Sequence, residues 1–256
     1  MKLRAAAALI AIAVGSEIIT PRAATPLKGL TTSVTPLKGL TTLAQRSQRV
    51  TLRTEDGLSL AATWYEPSNR PAPAVVLVHM LTRSRRDWEA VATRLASEGI
   101  GALAIDLRGH GESPGSETDL GAMPQDLGAA KRHLAVRPDV IHSRIGIAGA
   151  SLGANLAAIA AADDAAVASL VLLSPSLDYR GVRMEAALRK YGKRPALLVA
   201  ATDDAYAMRT VKDFAKGAGG IREVLMLDGA GHGTTMLSRA PDLARQIVEW
   251  FHRTLQ

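Results

Sequence analysis

Gly149-Ala150-Ser151-Leu152-Gly153 reads G-x-S-x-G, a serine held between two glycines. By composition alone the pattern is weak, because the chain carries 22 glycines in 256 residues. Its context gives it weight. The apolar run Ile145–Gly149 precedes the serine and the alanine-rich run Leu152–Ala162 follows it. A serine on a sharp strand-to-helix turn projects its hydroxyl above the sheet, and flanking glycines let that turn close. The helix N-terminus then faces any negative charge that develops beside it. The bland alternative is a glycine-lined turn with a capping serine. To become a nucleophile the hydroxyl needs a base, and the base needs a carboxylate to set its tautomer. Of six histidines, His232 stands in Gly229-Ala-Gly-His-Gly233, straight after the apolar run Val224–Leu227. His133, His142 and His252 fall in helical or polar stretches and read as surface residues. His79 and His110 follow strands but precede the serine, and read as loop structure. Asp203 and Asp204 follow the run Ala196–Ala201, and either can supply the carboxylate. Asp228 is a further option, only four residues from His232, while Asp106 ends an earlier strand and suits the orienting of loops. The chemistry implied is attack by Ser151 on an acyl carbon with His232 as base.

Positioning these residues requires strands that end at one edge. Arg49–Thr54 and Leu58–Tyr65 flank the turn Glu55-Asp56-Gly57 and read as two antiparallel strands. Ala74–His79, Ile100–Asp106, Ile145–Gly149, Leu170–Leu173, Ala196–Ala201 and Val224–Leu227 are short apolar runs suited to strands buried on both faces. Between them, Asp87–Glu98, Pro124–Val136, Leu152–Ala162 and Ala205–Lys216 carry helical patterns, and Leu243–Leu255 closes the chain as an amphipathic helix. Strict strand–helix alternation argues for a mostly parallel central sheet of about eight strands flanked by helices. In such sheets sites form at the carboxyl ends of strands, where Ser151, the aspartate pair and His232 all fall.

The order Ser151, then Asp203 or Asp204, then His232, each after a strand, resembles the α/β-hydrolase fold family. The resemblance runs from about Arg49 to Leu255. Gly149-Ala-Ser-Leu-Gly153 resembles the family's nucleophile elbow, and Ala104-Ile-Asp-Leu-Arg-Gly-His-Gly-Glu-Ser113 is similar to its segment after the fourth strand. Leu197-Leu-Val-Ala-Ala-Thr-Asp-Asp204 matches the family strand that leads to the acid, which favours Asp204 over Asp203. The resemblance implies Ser151, Asp204 and His232 as catalytic residues. It also implies an oxyanion hole built from the N–H groups of Leu81 and Leu152. One departure stands out: the family commonly has His-Gly at the oxyanion loop, and this chain has His79-Met80. A backbone N–H needs no particular side chain, so the donor itself is compatible with Met80. One such donor is worth about 2.7–4 kcal/mol of transition-state stabilisation. Family members often carry a cap after the sixth strand. Here Ser174–Arg194 is 21 residues, room for one short helix, Val182–Lys190. A minimal cap and an open site follow, with Met80, Leu81, Thr82, Leu177, Tyr179 and Met184 as expected lining residues.

Composition removes other classes. A hydrophobic share of 47% and a charged share of 21% exclude a disordered chain. Without cysteine there is no disulfide, thiolate nucleophile, Cys-ligated zinc or iron–sulfur cluster. A net charge of +7 invites thought of polyanions, but Arg83, Arg85 and Arg86 form the densest basic cluster and aromatics are only 4%. A nucleic-acid partner is therefore not expected. There is no P-loop, no H-E-x-x-H, and no third glycine after Gly109-His-Gly111, so neither cofactor nor metal is expected. At the N-terminus, Lys2 and Arg4 precede the apolar run Ala5–Val14, and Glu17 interrupts it. That run is too short for a membrane span, which needs about 20 residues. Residues 1–24 read as a signal peptide, cleaved after Gly15 or near Ala23-Ala24, and the protein as exported, periplasmic or secreted. TPLKGLTT occurs at 25–32 and again at 35–42. Two copies cannot stack as a solenoid, so 25–46 reads as a linker and 47–256 as the catalytic domain. The expectation is a serine hydrolase acting on small-molecule carboxylic esters of short acyl chain. A thioesterase, a peptidase or a lactonase shares this chemistry, although a lactonase of the dienelactone type usually presents a cysteine. A binding protein that keeps the fold, or a tethered protein acting through the repeat, is the alternative from another class.

Overall fold

The computed structural model describes residues 46–217 and 219–255. The expected signal peptide, 1–24, and all of the repeat-bearing linker 25–46 except Arg46 lie outside the described residues.

A hairpin opens the fold: β1 (Ser47–Arg53) and β2 (Ser59–Tyr65) pair antiparallel. β3 (Ala72–Val78), a 3-10 turn (Arg85–Trp88), α1 (Glu89–Ser97) and β4 (Gly101–Ile105) follow. Then come α2 (Pro124–Ala135), β5 (Val140–Ala150), α3 (Leu152–Ala162) and β6 (Val167–Leu173). A two-residue hairpin, β7 (Asp178–Tyr179) and β8 (Val182–Arg183), leads into α4 (Glu185–Tyr191). β9 (Ala196–Ala201), α5 (Ala205–Gly217), β10 (Arg222–Leu227), α6 (Thr235–Arg239) and α7 (Leu243–Thr254) complete the chain.

Eight strands form one sheet in the order β1-β2-β4-β3-β5-β6-β9-β10. β2 pairs antiparallel with β1 and β4, and every other pairing is parallel. This is the mostly parallel α/β-hydrolase sheet that the alternation and the resemblance imply. Its register matters most. Val78 pairs with Ile105 and Gly149, Ala150 with Leu173, Leu173 with Val199, and Leu227 with Ala201. The parallel strands therefore end nearly level, and the residues that follow them share one edge.

Alternate residues of the buried strands feed two cores, as the two-residue period of a strand requires. On one face Val76 and Val78 of β3 pack with Leu127 of α2, Leu156 of α3 and Val211 of α5. On the other, Val75 and Leu77 pack with Leu95 of α1 and with Ile247 and Phe251 of α7. Helices on both faces are what strands apolar on both sides demand.

The segment after β6 differs from expectation. Val182 does not start a helix; it pairs with Tyr179 across a turn whose Gly181 N–H donates to Asp178 at 2.6 Å. The helix begins only at Glu185. The stretch expected as one helix over Asp87–Glu98 is split between the 3-10 turn and α1. β5 starts at Val140 rather than Ile145, because Val140 finds Ala72 as a partner before the apolar run begins.

Candidate active site

Ser151 sits between β5 and α3 with φ 51°, a left-handed conformation that L side chains avoid. Such strain costs about 1–3 kcal/mol and persists only where the surroundings enforce it. Here they do. The Ser151 N–H donates to Leu173 O at 2.8 Å, tying the turn to β6. The two glycines of the motif fit because nothing larger can. A Cβ on Gly149 would lie 2.2 Å from Gly153 O, and one on Gly153 would lie 2.5 Å from His79 O. Together they let α3 lie directly on the ends of β5 and β3.

His232 Nε2 stands 2.8 Å from Ser151 Oγ, and its Nδ1 stands 2.6 Å from Asp204 Oδ2. A carboxylate at Nδ1 holds the proton there, which leaves Nε2 free to accept from the serine hydroxyl. Asp204 is itself fixed, since Oδ1 accepts the Ala207 N–H at 3.2 Å in the first turn of α5. Its neighbour Asp203 faces elsewhere and accepts the Gly231 N–H at 3.0 Å. Asp228 accepts from the Thr202 hydroxyl at 2.8 Å. Of the three aspartates considered from sequence, Asp204 is the one that meets the imidazole. About half of the His232 side chain, 51%, is open to solvent.

Two backbone N–H groups are the donors that the resemblance implies, and the loop carrying one of them starts at His79, whose carbonyl lies against Gly153. Leu152 is the first residue of α3, where an N–H has no partner within its own helix. Leu81 lies in the loop after β3. Among the described residues neither N–H donates to a protein acceptor. The Leu81 N–H shares a peptide plane with the Met80 carbonyl, and that carbonyl is clamped. It accepts from His79 Nδ1 at 2.7 Å and from the Arg83 N–H at 3.3 Å. His79 is fully buried, and its Nε2 accepts the Leu107 N–H at 3.1 Å. Burial pushes its pKa down to about 4, so the ring is neutral and keeps this one tautomer near pH 7. His79 is thus more than loop structure: it orients the Met80–Leu81 peptide.

Asp106 orients loops as its position suggests. Its carboxylate accepts the Arg85 N–H at 2.7 Å and the Glu112 N–H at 2.9 Å, and pairs with the Arg85 side chain.

The expected lining residues divide. Met80 lies against the histidine loop, so close that a Cβ on Gly233 would meet its sulfur at 2.4 Å. Thr82 is exposed and holds φ 60° in the same loop as Leu81. Leu177 lines a groove of about 530 Å³ with Glu185, Leu188 and Phe214, between α4 and α5; Ser151 and His232 do not line it. Tyr179 is partly buried against the core. Met184 is fully buried, so it packs in the core instead of facing a ligand. Three residues of the site were missed: Ser174, which accepts the Gly233 N–H at 3.0 Å, and the hydrogen-bonded pair Thr234 and Asp87. The one signal available was position, since Ser174 directly follows a strand.

Among the described residues no group of three His, Asp or Glu side chains is placed to hold a metal ion, and no helix is long and apolar enough to cross a membrane.

The family model described as serine aminopeptidase, S33, matches residues 69–199, just over half of the chain. The chain belongs to this family of α/β hydrolases. The match includes Ser151 and stops short of Asp204 and His232. A polyketide transferase, ATR5, of Stachybotrys chlorohalonatus is 33% identical over 134 residues, which is 51% of this chain and 45% of that protein. The chain spans less than half the length of the curated relatives it matches. Among solved structures, a dienelactone hydrolase from Anabaena variabilis superposes with a TM-score of 0.70 at 24% identity, covering 83% of this chain and 99% of that one. A Pyrococcus furiosus esterase superposes with a TM-score of 0.69 at 21% identity, covering 84% and 93%. At these identities the superpositions establish the fold.

Proposed function

We propose that this protein hydrolyses carboxylic esters through an acyl-enzyme on Ser151. The observation that carries the reading is the unbroken line Asp204–His232–Ser151, with hydrogen bonds of 2.6 and 2.8 Å. His232 Nε2 takes the hydroxyl proton as Ser151 Oγ bonds to the acyl carbon. The carbonyl oxygen becomes an oxyanion facing the Leu152 and Leu81 N–H groups. When the ester C–O bond breaks, the imidazolium gives its proton to the leaving alcohol. Water then adds to the acyl carbon, His232 again holds the proton, and Ser151 recovers it as the acid departs. Asp204 stabilises the imidazolium in both halves. Short acyl chains suit a half-exposed histidine and a segment after β6 that is only a hairpin and one short helix, because such a site encloses little of a long apolar chain.

A second reading shares the first half. The relative named a polyketide transferase favours an acceptor other than water, an alcohol or amine that would take the acyl group from Ser151. Export directed by residues 1–24 also belongs to the proposal, and mass spectrometry of the mature N-terminus reads it.

The test is hydrolysis of p-nitrophenyl esters from acetate to laurate by wild type and Ser151→Ala, together with labelling by a fluorophosphonate. Wild type should turn over the short esters and label. The alanine variant should lose labelling and roughly 10⁴-fold or more of kcat. A wild-type protein that neither turns over nor labels would overturn the reading and favour a binding protein of the same fold. Faster loss of the acyl group when an alcohol is added would favour transfer.

A further inference from the structure

His232 has far to travel. It follows β10, the edge strand, while Ser151 follows β5, three places inward past β9 and β6. With strands about 4.8 Å apart, the loop crosses roughly 14 Å of strand ends. A glycine-rich loop of that reach has many conformations, and few of them bring an imidazole within hydrogen-bonding distance of a serine.

The crossing is pinned at each step. Gly229 N–H donates to Thr202 Oγ1 at 3.1 Å, and Gly231 N–H donates to Asp203 Oδ1 at 3.0 Å, both beyond the end of β9. Gly233 N–H donates to Ser174 Oγ at 3.0 Å, at the end of β6. The Thr234 hydroxyl then donates to the Asp87 carboxylate, in the segment after β3. The anchors come from the sheet in the order in which the loop passes over it. Gly229, Gly231 and Gly233 all have positive φ, between 56° and 79°, and each alternate glycine turns its N–H to the next anchor. The last anchor lies beyond Ser151, since β3 is the far neighbour of β5. Asp87 also accepts from Arg83 Nε at 2.9 Å, and Arg83 N–H donates to Met80 O. The bond from Thr234 therefore joins the loop carrying the base to the loop carrying Leu81. Ser174 and Thr234 are buried, 1% and 4% exposed; the Gly233–Ser174 bond is closed off from water and the Thr234–Asp87 bond is part-buried.

We infer that the Thr234–Asp87 bond, the far end of this row of anchors, is a positioning device that fixes His232 on Ser151 and holds it in register with the Leu81 N–H. Thr234, Asp87 and Ser174 are positioning residues, and they act through His232. The inference rests on the proposed function, and the fluorophosphonate separates the two, since it reads the reactivity of Ser151 whatever the natural substrate.

Thr234→Val keeps the shape and removes the donor. A misplacement of about 1 Å can cost 10²-fold in rate. The expected result is a fall of about 10–100-fold in kcat and in the labelling rate constant, with KM within about threefold. Thr234→Ser should restore both rates. In the Thr234→Val, Asp87→Asn double variant the loss should be no larger than in the worse single variant, because the two residues act as one unit. Ser174→Ala breaks the preceding anchor and should lower the labelling rate in the same direction, and it reads the same loop should Thr234→Val not fold. A merely structural role would lower the thermal midpoint and leave labelling at 25 °C as in wild type; that result overturns the inference alone. A wild-type protein that does not label at all overturns the proposed function and the inference with it.

Discussion

Two adjacent aspartates show how much a single position decides. Asp203 and Asp204 are equivalent as types, and only the turn into α5 separates them. Asp204 accepts from Ala207 N–H with one oxygen, and so presents the other to His232 at 2.6 Å. Asp203 points to the Gly231 backbone. Asp204→Asn keeps the shape but donates where His232 needs an acceptor, which forces the wrong tautomer; kcat should fall about 10⁴-fold. Asp203→Asn keeps an acceptor oxygen for Gly231, and its loss should stay below about tenfold. Steady-state rates of the pair, measured together, check this, and equal losses would sink the assignment. Ser151, His232 and the aspartate pair were legible because their chemistry demands rare combinations at strand ends. Ser174, Thr234 and Asp87 were not, because a serine, threonine or aspartate that holds a loop is indistinguishable in sequence from the many that face water.

Elements meet the site through a few buried polar ties. Asn155, one turn into α3 and fully buried, accepts the Ser176 N–H at 3.1 Å and donates to Val182 O at 2.8 Å and Ser176 O at 3.0 Å. It therefore staples the β7–β8 hairpin to the helix that follows Ser151. Asn155→Leu would strand the buried Val182 carbonyl, worth about 1–3 kcal/mol of desolvation, and the part-buried Ser176 N–H and carbonyl, which water reaches in part and which are worth less. We expect a loss of about 2–4 kcal/mol in urea unfolding, and faster proteolysis within 174–184 than elsewhere. Uniform proteolysis along the chain would contradict a local staple. Gly149→Ala is the sterner test of packing: its Cβ would meet the backbone of Gly153 at 2.2 Å, so either α3 lifts off β5 or the protein does not fold. The hairpin itself escaped the sequence reading because strands of two residues have no periodicity, and a valine before an alanine-rich stretch looks like a helix start.

At the scale of the whole molecule, the architecture was readable because β3, β4, β6 and β9 are apolar on both faces. A continuous apolar run between helical patterns has few homes other than a covered parallel sheet. The strand order is not in those runs, nor is the level ending of the strands that gathers the site; both arise from pairing between distant segments. His79 is where that global packing touches the site. It is buried at the end of β3, and its pKa is driven down to about 4 chiefly by burial. The His110 ring, 5.1 Å away, adds to the depression, while the Met80 carbonyl and the charges of Asp106 and Asp87 oppose it. The folded chain thus refuses a proton that the unfolded chain binds at about pH 6.5. Between pH 6.5 and 4 the unfolded state holds more protons, so stability falls as the pH falls through that window, by about 3 kcal/mol in all. Below pH 4 both states bind the proton and the loss is complete. Protonation also turns Nε2 into a donor facing the Leu107 N–H, so the clamp on the Met80–Leu81 peptide fails in the same range. Carboxylates titrate there too, and His79→Gln isolates the histidine from them. The variant should be less stable at pH 7 but lose about 3 kcal/mol less than wild type between pH 6.5 and 4, measured by urea unfolding at both ends. Parallel pH profiles for the two proteins would mean that His79 titrates in the fold as it does in water, and that the clamp beside Ser151 is not built on a neutral ring.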